Sequence, residues 1–165
     1  MILIIAEVED IMIYKAGLND VNIIAKMAHK MWSSHTLDEL EEEFHEIIVS
    51  EDSAEFIVTN EGKAIGFAQC QLRYDYVEGT SSSPVGYLEG IFIEDGFRKK
   101  GYARELLKNC EQWSLEKGCT EFASDCELSN DTSLKFHLNV GFKEANRIIC
   151  FTKNLKTGSN LALLK

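Results

Sequence analysis

The sequence holds one proline in 165 residues and no low-complexity run, which leaves little room for long disordered segments. Its five cysteines (Cys70, Cys110, Cys119, Cys126 and Cys150) include no CxxC and no cysteine–histidine set at zinc-finger spacing. Neither a disulfide nor a metal is expected. Cys70, Cys119 and Cys150 lie in strand-like runs and read as small buried hydrophobes. No apolar stretch approaches the ~20 residues of a membrane span. The apolar start Met1–Ile5 is too short for a secretory signal, has no Lys or Arg before it, and runs into Glu7, Glu9 and Asp10. A cytoplasmic protein without a membrane partner is expected.

Basic residues are scarce as well. Seventeen Lys and Arg face 27 Asp and Glu, for a formal net charge of −10. That balance argues against a general nucleic-acid binder, which needs basic surface to displace counterions from phosphates. It suits a small cationic partner, because an acidic cleft concentrates cations. An acidic surface also simply aids solubility.

What is present is an ordinary hydrophobic fraction of 45%, enough for one domain with one sizeable core. Strand character at 11–15 precedes a helix pattern from Asn19 to Trp32. Thr36 with Glu39 forms a capping box that opens a second helix, reaching Val49. A hairpin follows, with strands at 55–59 and 64–74 around Asn60-Glu61-Gly62-Lys63. Val85–Ile93 is a strand, 101–117 a helix, 120–124 a short strand and 129–140 a helix. One or more closing strands are expected within 142–152. Strands interleaved with helices give a mixed α/β (α+β) class around one sheet. The domain is placed at 12–154, and extensions 1–11 and 155–165 show no clear role.

One local feature runs against the overall charge. Arg98, Lys99 and Lys100 are adjacent, in a chain whose remainder carries −13. They follow the apolar strand that ends at Ile93 and precede a helix opening at Gly101-Tyr102-Ala103. Helix-opening N–H groups lack internal partners and favour an anion, and glycine lets backbone approach closely. The segment can hold a phosphate or pyrophosphate. Taken alone, it also reads as a solvated basic turn.

In this context Arg-x-x-Gly-x-Ala resembles the coenzyme A motif of the GNAT superfamily of N-acetyltransferases. Phe136-His137-Leu138-Asn139-Val140-Gly141-Phe142 continues the pattern. Further blocks are similar to one branch, the aminoglycoside 6'-N-acetyltransferases. They are Arg73-Tyr74-Asp75-Tyr76-Val77-Glu78-Gly79, Ser83-Pro84-Val85, Leu88-Glu89-Gly90-Ile91, Thr120-Glu121-Phe122-Ala123-Ser124-Asp125, and Trp32 with His35. The resemblance implies a GNAT-type domain with a mixed, mostly antiparallel sheet splayed at the coenzyme site and flanked by helices. It implies acetyl-coenzyme A as co-substrate, a small cationic amine as acceptor, and a homodimer.

Residue by residue, the resemblance assigns Ile91, Phe92 and Ile93 to the pantetheine arm. Arg98, Lys99, Lys100, Gly101, Tyr102, Ala103 and Arg104 fall to the pyrophosphate, and Asn130 to the coenzyme arm. Asn130 also fits a helix N-cap. Glu89 is the candidate base that takes the amine proton in direct attack on the thioester; a structural ion pair is its other reading. Asp125, Trp32, His35 and Tyr76 match acceptor-side positions. Asp125 could instead close a turn, Trp32 could be core, and His35 an ordinary loop residue. His137 stands where many superfamily members carry a general-acid tyrosine. Asn146 stands where an acidic acceptor contact is expected, which weakens the match to aminoglycosides. Acetylation of another amine, a polyamine or a peptide N-terminus, stays open, as does a coenzyme-binding module without catalysis. Intact Glu89 and Asp125 argue against the last.

Overall fold

The structure is a computed structural model that describes residues 10–155. Five strands form one sheet in the order β1-β2-β3-β4-β5: β1 (Ile11–Lys15), β2 (Ser53–Asn60), β3 (Lys63–Arg73), β4 (Val85–Ile93) and β5 (Phe122–Ser124). The first three pairings are antiparallel and β4–β5 is parallel. Four α-helices complete the fold: α1 (Val21–Ala28), α2 (Leu37–Val49), α3 (Tyr102–Glu116) and α4 (Asp131–Val140). This is the expected mixed α/β class. Among the described residues no helix is long and apolar enough to cross a membrane.

Two faces of the sheet bury two sets of side chains, because strand residues alternate. Ala54, Phe56, Val58, Ala68, Cys70 and Leu72 pack beneath Leu106, Leu107, Cys110 and Trp113 of α3. Ile57, Phe67 and Phe92 point the other way, under Ile24 and Ala28 of α1 and Leu40 and Phe44 of α2. The capping box at Thr36 forms as the sequence predicts. Its Oγ1 accepts from the Glu39 N–H at 3.3 Å, and Glu39 Oε2 accepts from the Thr36 N–H at 2.7 Å.

Three expectations need correction. The first helix ends at Ala28, and the chain turns through 29–35, so Trp32 and His35 lie in a connection. No strand forms within 142–152. Phe142 turns inward onto Phe122 and His137, with ring centroids 6.1 and 5.0 Å apart, while Ile148, Ile149 and Phe151 stay exposed. A three-residue β5 is too short an edge to recruit that run into the sheet. Cys150, read as buried, is exposed for the same reason. The terminal extensions lie almost wholly outside the described residues.

Glu55 on β2 breaks the apolar pattern. It is buried, faces the α1/α2 side opposite Gln69, and neither carboxylate oxygen has a hydrogen-bond partner among the described residues. Burial, then the neighbouring Cys70 and Glu43, push its carboxyl well above the usual range. The folded chain therefore holds a proton that the unfolded chain releases above about pH 4–5, so stability falls as pH rises from there. Glu55→Gln should remove that loss, so its stability relative to the parent should be higher at pH 7 than at pH 5. Urea unfolding of both proteins at pH 5 and pH 7 checks it, and an equal gain at the two pH values would be the wrong result.

Candidate active site

The site begins with an irregularity in β4. Gln69 pairs with Gly90 and Cys70 with Leu88, so Glu89 is an extra residue with no partner on β3. Such a bulge bends a strand and re-aims a side chain. On the other edge, pairing with β5 stops where Leu88 meets Ser124. From Glu89 to Ile93 that edge of β4 has no partner strand among the described residues. The splay that the family resemblance implies corresponds to this fork, and its vertex falls at Glu89.

Glu89 lies in a cavity of about 290 Å³ that it lines with Trp32, His35, Leu40, Glu43 and Gln69. Arg73 grips its carboxylate through Nε to Oε1 (3.0 Å) and Nη2 to Oε1 and Oε2 (2.7 and 2.9 Å). Gln71 Nε2 also donates to Oε1. The ion-pair reading of Glu89 is thus part of the geometry. Oε2 accepts one bond from these partners and keeps lone-pair capacity for a proton or an ammonium. Trp32 belongs to the aromatic layer on the α1/α2 side of the sheet. It stacks on Phe44 at 6.4 Å between ring centroids, and it also lines the cavity. Gly90 permits this, since a Cβ there would come 3.1 Å from the Trp32 ring.

Asp125 sits just past β5 and accepts from the Tyr87 hydroxyl at 2.7 Å. Burial, then that hydrogen bond, push the Tyr87 phenol strongly upward, so it stays a donor. Tyr76 and Asn146 lie outside the cavity lining and meet at a residue not singled out from the sequence. Tyr76 Oη donates to Glu78 Oε2 at 2.7 Å, and Asn146 Nδ2 donates to Glu78 Oε1 at 3.2 Å. An acid therefore does stand beside position 146, supplied by a neighbour in space.

The basic loop has the shape of an anion cradle. Lys99 (φ 63°) and Gly101 (φ 93°) are both left-handed, and α3 starts at Tyr102. Alternating handedness next to a helix start turns successive N–H groups toward one point. The side chains divide their tasks. Arg98 folds back onto the Ile93 carbonyl (2.9 Å) and Asp95 (3.2 Å), which braces the loop. Arg104 donates to the Asn139 carbonyl at 3.0 Å, near the end of α4. Tyr102 is buried in the α3 core, and Ala103 packs against it. Ile91, Phe92 and Ile93 likewise direct side chains into the core, so they offer a ligand only backbone.

Asn130 is the N-cap of α4, its side chain accepting from the Ser133 N–H at 3.0 Å. His137 lies at the fork. Its Nε2 is 2.9 Å from Ser124 Oγ, which is 3.1 Å from the Leu88 carbonyl. Its Nδ1 is 2.7 Å from the Ser133 carbonyl.

The fold, with its open β4 edge, is of the GNAT type. Residues 21–142 match the profile described as the acetyltransferase (GNAT) family, and the chain belongs to that family. It is 41% identical over 124 residues to the aminoglycoside N(6')-acetyltransferase type 1 of Salmonella typhimurium, covering 75% of this chain and 86% of that protein. Among solved structures it resembles AAC(6')-Iy in complex with CoA, with TM-score 0.86 and 35% identity over 89% of this chain and 97% of that one. The same enzyme with the bisubstrate analogue CoA-S-monomethyl-acetylneamine superposes with TM-score 0.84 at 36% identity, covering 88% and 99%.

Proposed function

We propose that this protein transfers the acetyl group of acetyl-coenzyme A to a primary amine, the 6'-amine of an aminoglycoside, by direct attack in a ternary complex. The observation that carries the reading is the placement of Glu89 at the fork of the sheet, inside the cavity and at the start of the open β4 edge. The open edge and the cradle at Lys99–Gly101 fit the coenzyme's pantetheine arm and pyrophosphate. Acetyl-coenzyme A supplies an activated acyl carbon. The residues of the chain bind and orient the two reactants and move a proton. Glu89 accepts the proton of the acceptor ammonium, directly or through water, and leaves a neutral amine facing the thioester. Asp125, His35 and Trp32 hold the acceptor. Asn130 caps α4 close to where the arm would run.

The test is acetyl transfer itself. Purified protein with acetyl-coenzyme A should release free thiol with kanamycin or tobramycin, and mass detection should find a monoacetylated product. Faster turnover with polyamines or peptide N-termini would move the acceptor to those amines. Coenzyme binding without turnover on any amine would leave a binding module.

Glu78 supports the aminoglycoside over a monoamine, because with Tyr76 it adds an acidic contact away from Glu89. Glu78→Gln is expected to raise the acceptor KM up to about fivefold, the scale of an exposed ion pair, with kcat little changed. An unchanged KM would remove Glu78 from the acceptor site.

The same reading places the protein in the cytoplasm, where acetyl-coenzyme A is made and used. It also takes the protein to be a homodimer. Ile148, Ile149, Phe151 and Leu155 are 63–88% exposed along one segment, an apolar run that a partner chain would cover. Sedimentation equilibrium should give twice the chain mass, and a monomer at micromolar concentration would dismiss the dimer.

A further inference from the structure

Arg73 is a guanidinium set into a site that the proposed function gives to a cationic acceptor. On charge alone it is misplaced, because it repels the ammonium that Glu89 would receive. Its contacts supply the reason for it. Three donor–acceptor contacts of 2.7–3.0 Å tie the Glu89 carboxylate to the guanidinium. The face of the same group lies 3.4 Å from the centroid of the Tyr87 ring. Tyr87, held beneath that face, donates to Asp125 at 2.7 Å. One side chain on β3 thus touches Glu89 directly and reaches Asp125 through one intermediate.

We propose that Arg73 is the positioning residue for both acids. It fixes Glu89 by a planar fork and Asp125 through Tyr87, so that the two carboxylates present a rigid pair to the acceptor. The inference rests on the reading of Glu89 and Asp125 as acceptor contacts. A lysine could supply the charge, but it could match neither the fork nor the stacked face. The groups facing Glu89 are Gln71 and Arg73 from β3, Tyr87 from β4, His35 from the turn before α2, and Glu43 from α2. Arg73 is the one permanent cation among them.

The test compares Arg73→Gln, Arg73→Lys, Tyr87→Phe and Glu89→Gln in one acetyl-transfer assay across pH 5.5–9, with coenzyme affinity measured separately. Arg73→Gln should lower kcat/KM on the order of 10- to 100-fold, with both kcat and the acceptor KM affected and coenzyme affinity within about twofold of the parent. Arg73→Lys should recover part of the rate. Tyr87→Phe should raise the acceptor KM severalfold with kcat little changed.

Parental kcat/KM in Arg73→Gln would overturn the proposal. Full parental activity in Arg73→Lys would overturn the fork, since charge alone would then suffice. A parental KM in Tyr87→Phe would break the link to Asp125. Should Arg73→Gln fail to fold, the lysine and phenylalanine variants still decide. Loss of activity in Glu89→Gln alongside a parental Arg73→Gln defeats this inference alone. A parental Glu89→Gln defeats the underlying reading with it.

Discussion

Glu89→Gln should lower turnover at neutral pH by about 10²- to 10⁴-fold while leaving coenzyme affinity nearly unchanged. Glutamine keeps the size and can still bond Gln71 and Arg73, so the fork of the sheet should survive. What it loses is the lone pair at Oε2 that can take a proton. The deficit should narrow as pH rises, because more of the acceptor amine arrives already neutral from solution. A parallel pH profile, with a constant deficit up to pH 9, would assign Glu89 to binding alone. Unchanged turnover at pH 7 would remove it from the mechanism altogether. The variant leaves the guanidinium of Arg73 without a counter-charge, so melting temperature should be followed beside the kinetics.

The second large effect belongs to the loop before α3. Lys99→Glu together with Lys100→Glu should weaken coenzyme binding on the order of 10- to 100-fold at low salt, and less at high salt as screening shortens the reach of the charges. Titration of coenzyme A against both proteins at two ionic strengths measures this. The backbone cradle depends on Lys99 and Gly101 holding left-handed conformations, so part of the affinity should persist in the double variant. Equal affinity in parent and variant, at low salt, would show that the pyrophosphate lies elsewhere.

Much of this architecture was legible in the residues. The strand-like runs 55–59 and 64–74 around Asn60-Glu61-Gly62-Lys63 gave the central hairpin. The Thr36–Glu39 pair gave the start of α2 to the residue. The charge reversal at 98–100 marked the cradle. The illegible parts share a physical cause, since each depends on a neighbour distant in sequence. The bulge at Glu89 is a mismatch between two strands and leaves no trace in β4 alone. Arg73 opens the block 73–79, but its grip on Glu89 needs the β3–β4 register. Glu55 opens the strand-like run 55–59, and its burial depends on the elements packed over the sheet. The run 142–152 has strand-like composition, yet composition cannot supply an edge to pair with.

The contact between Glu78 and Asn146 has a consequence for comparing members of this family. If these residues line the proposed acceptor site, the negative charge there belongs to the pair of positions and to neither one alone. A relative with the acid at position 146 and an amide at 78 would present the same field from the other side of one hydrogen bond. Exchanging the two residues in this chain should therefore cost less than neutralising Glu78 by itself. Differences in acceptor preference between relatives would then follow the joint state of the two positions. A tally of acids taken column by column would count a loss where the charge has only changed places.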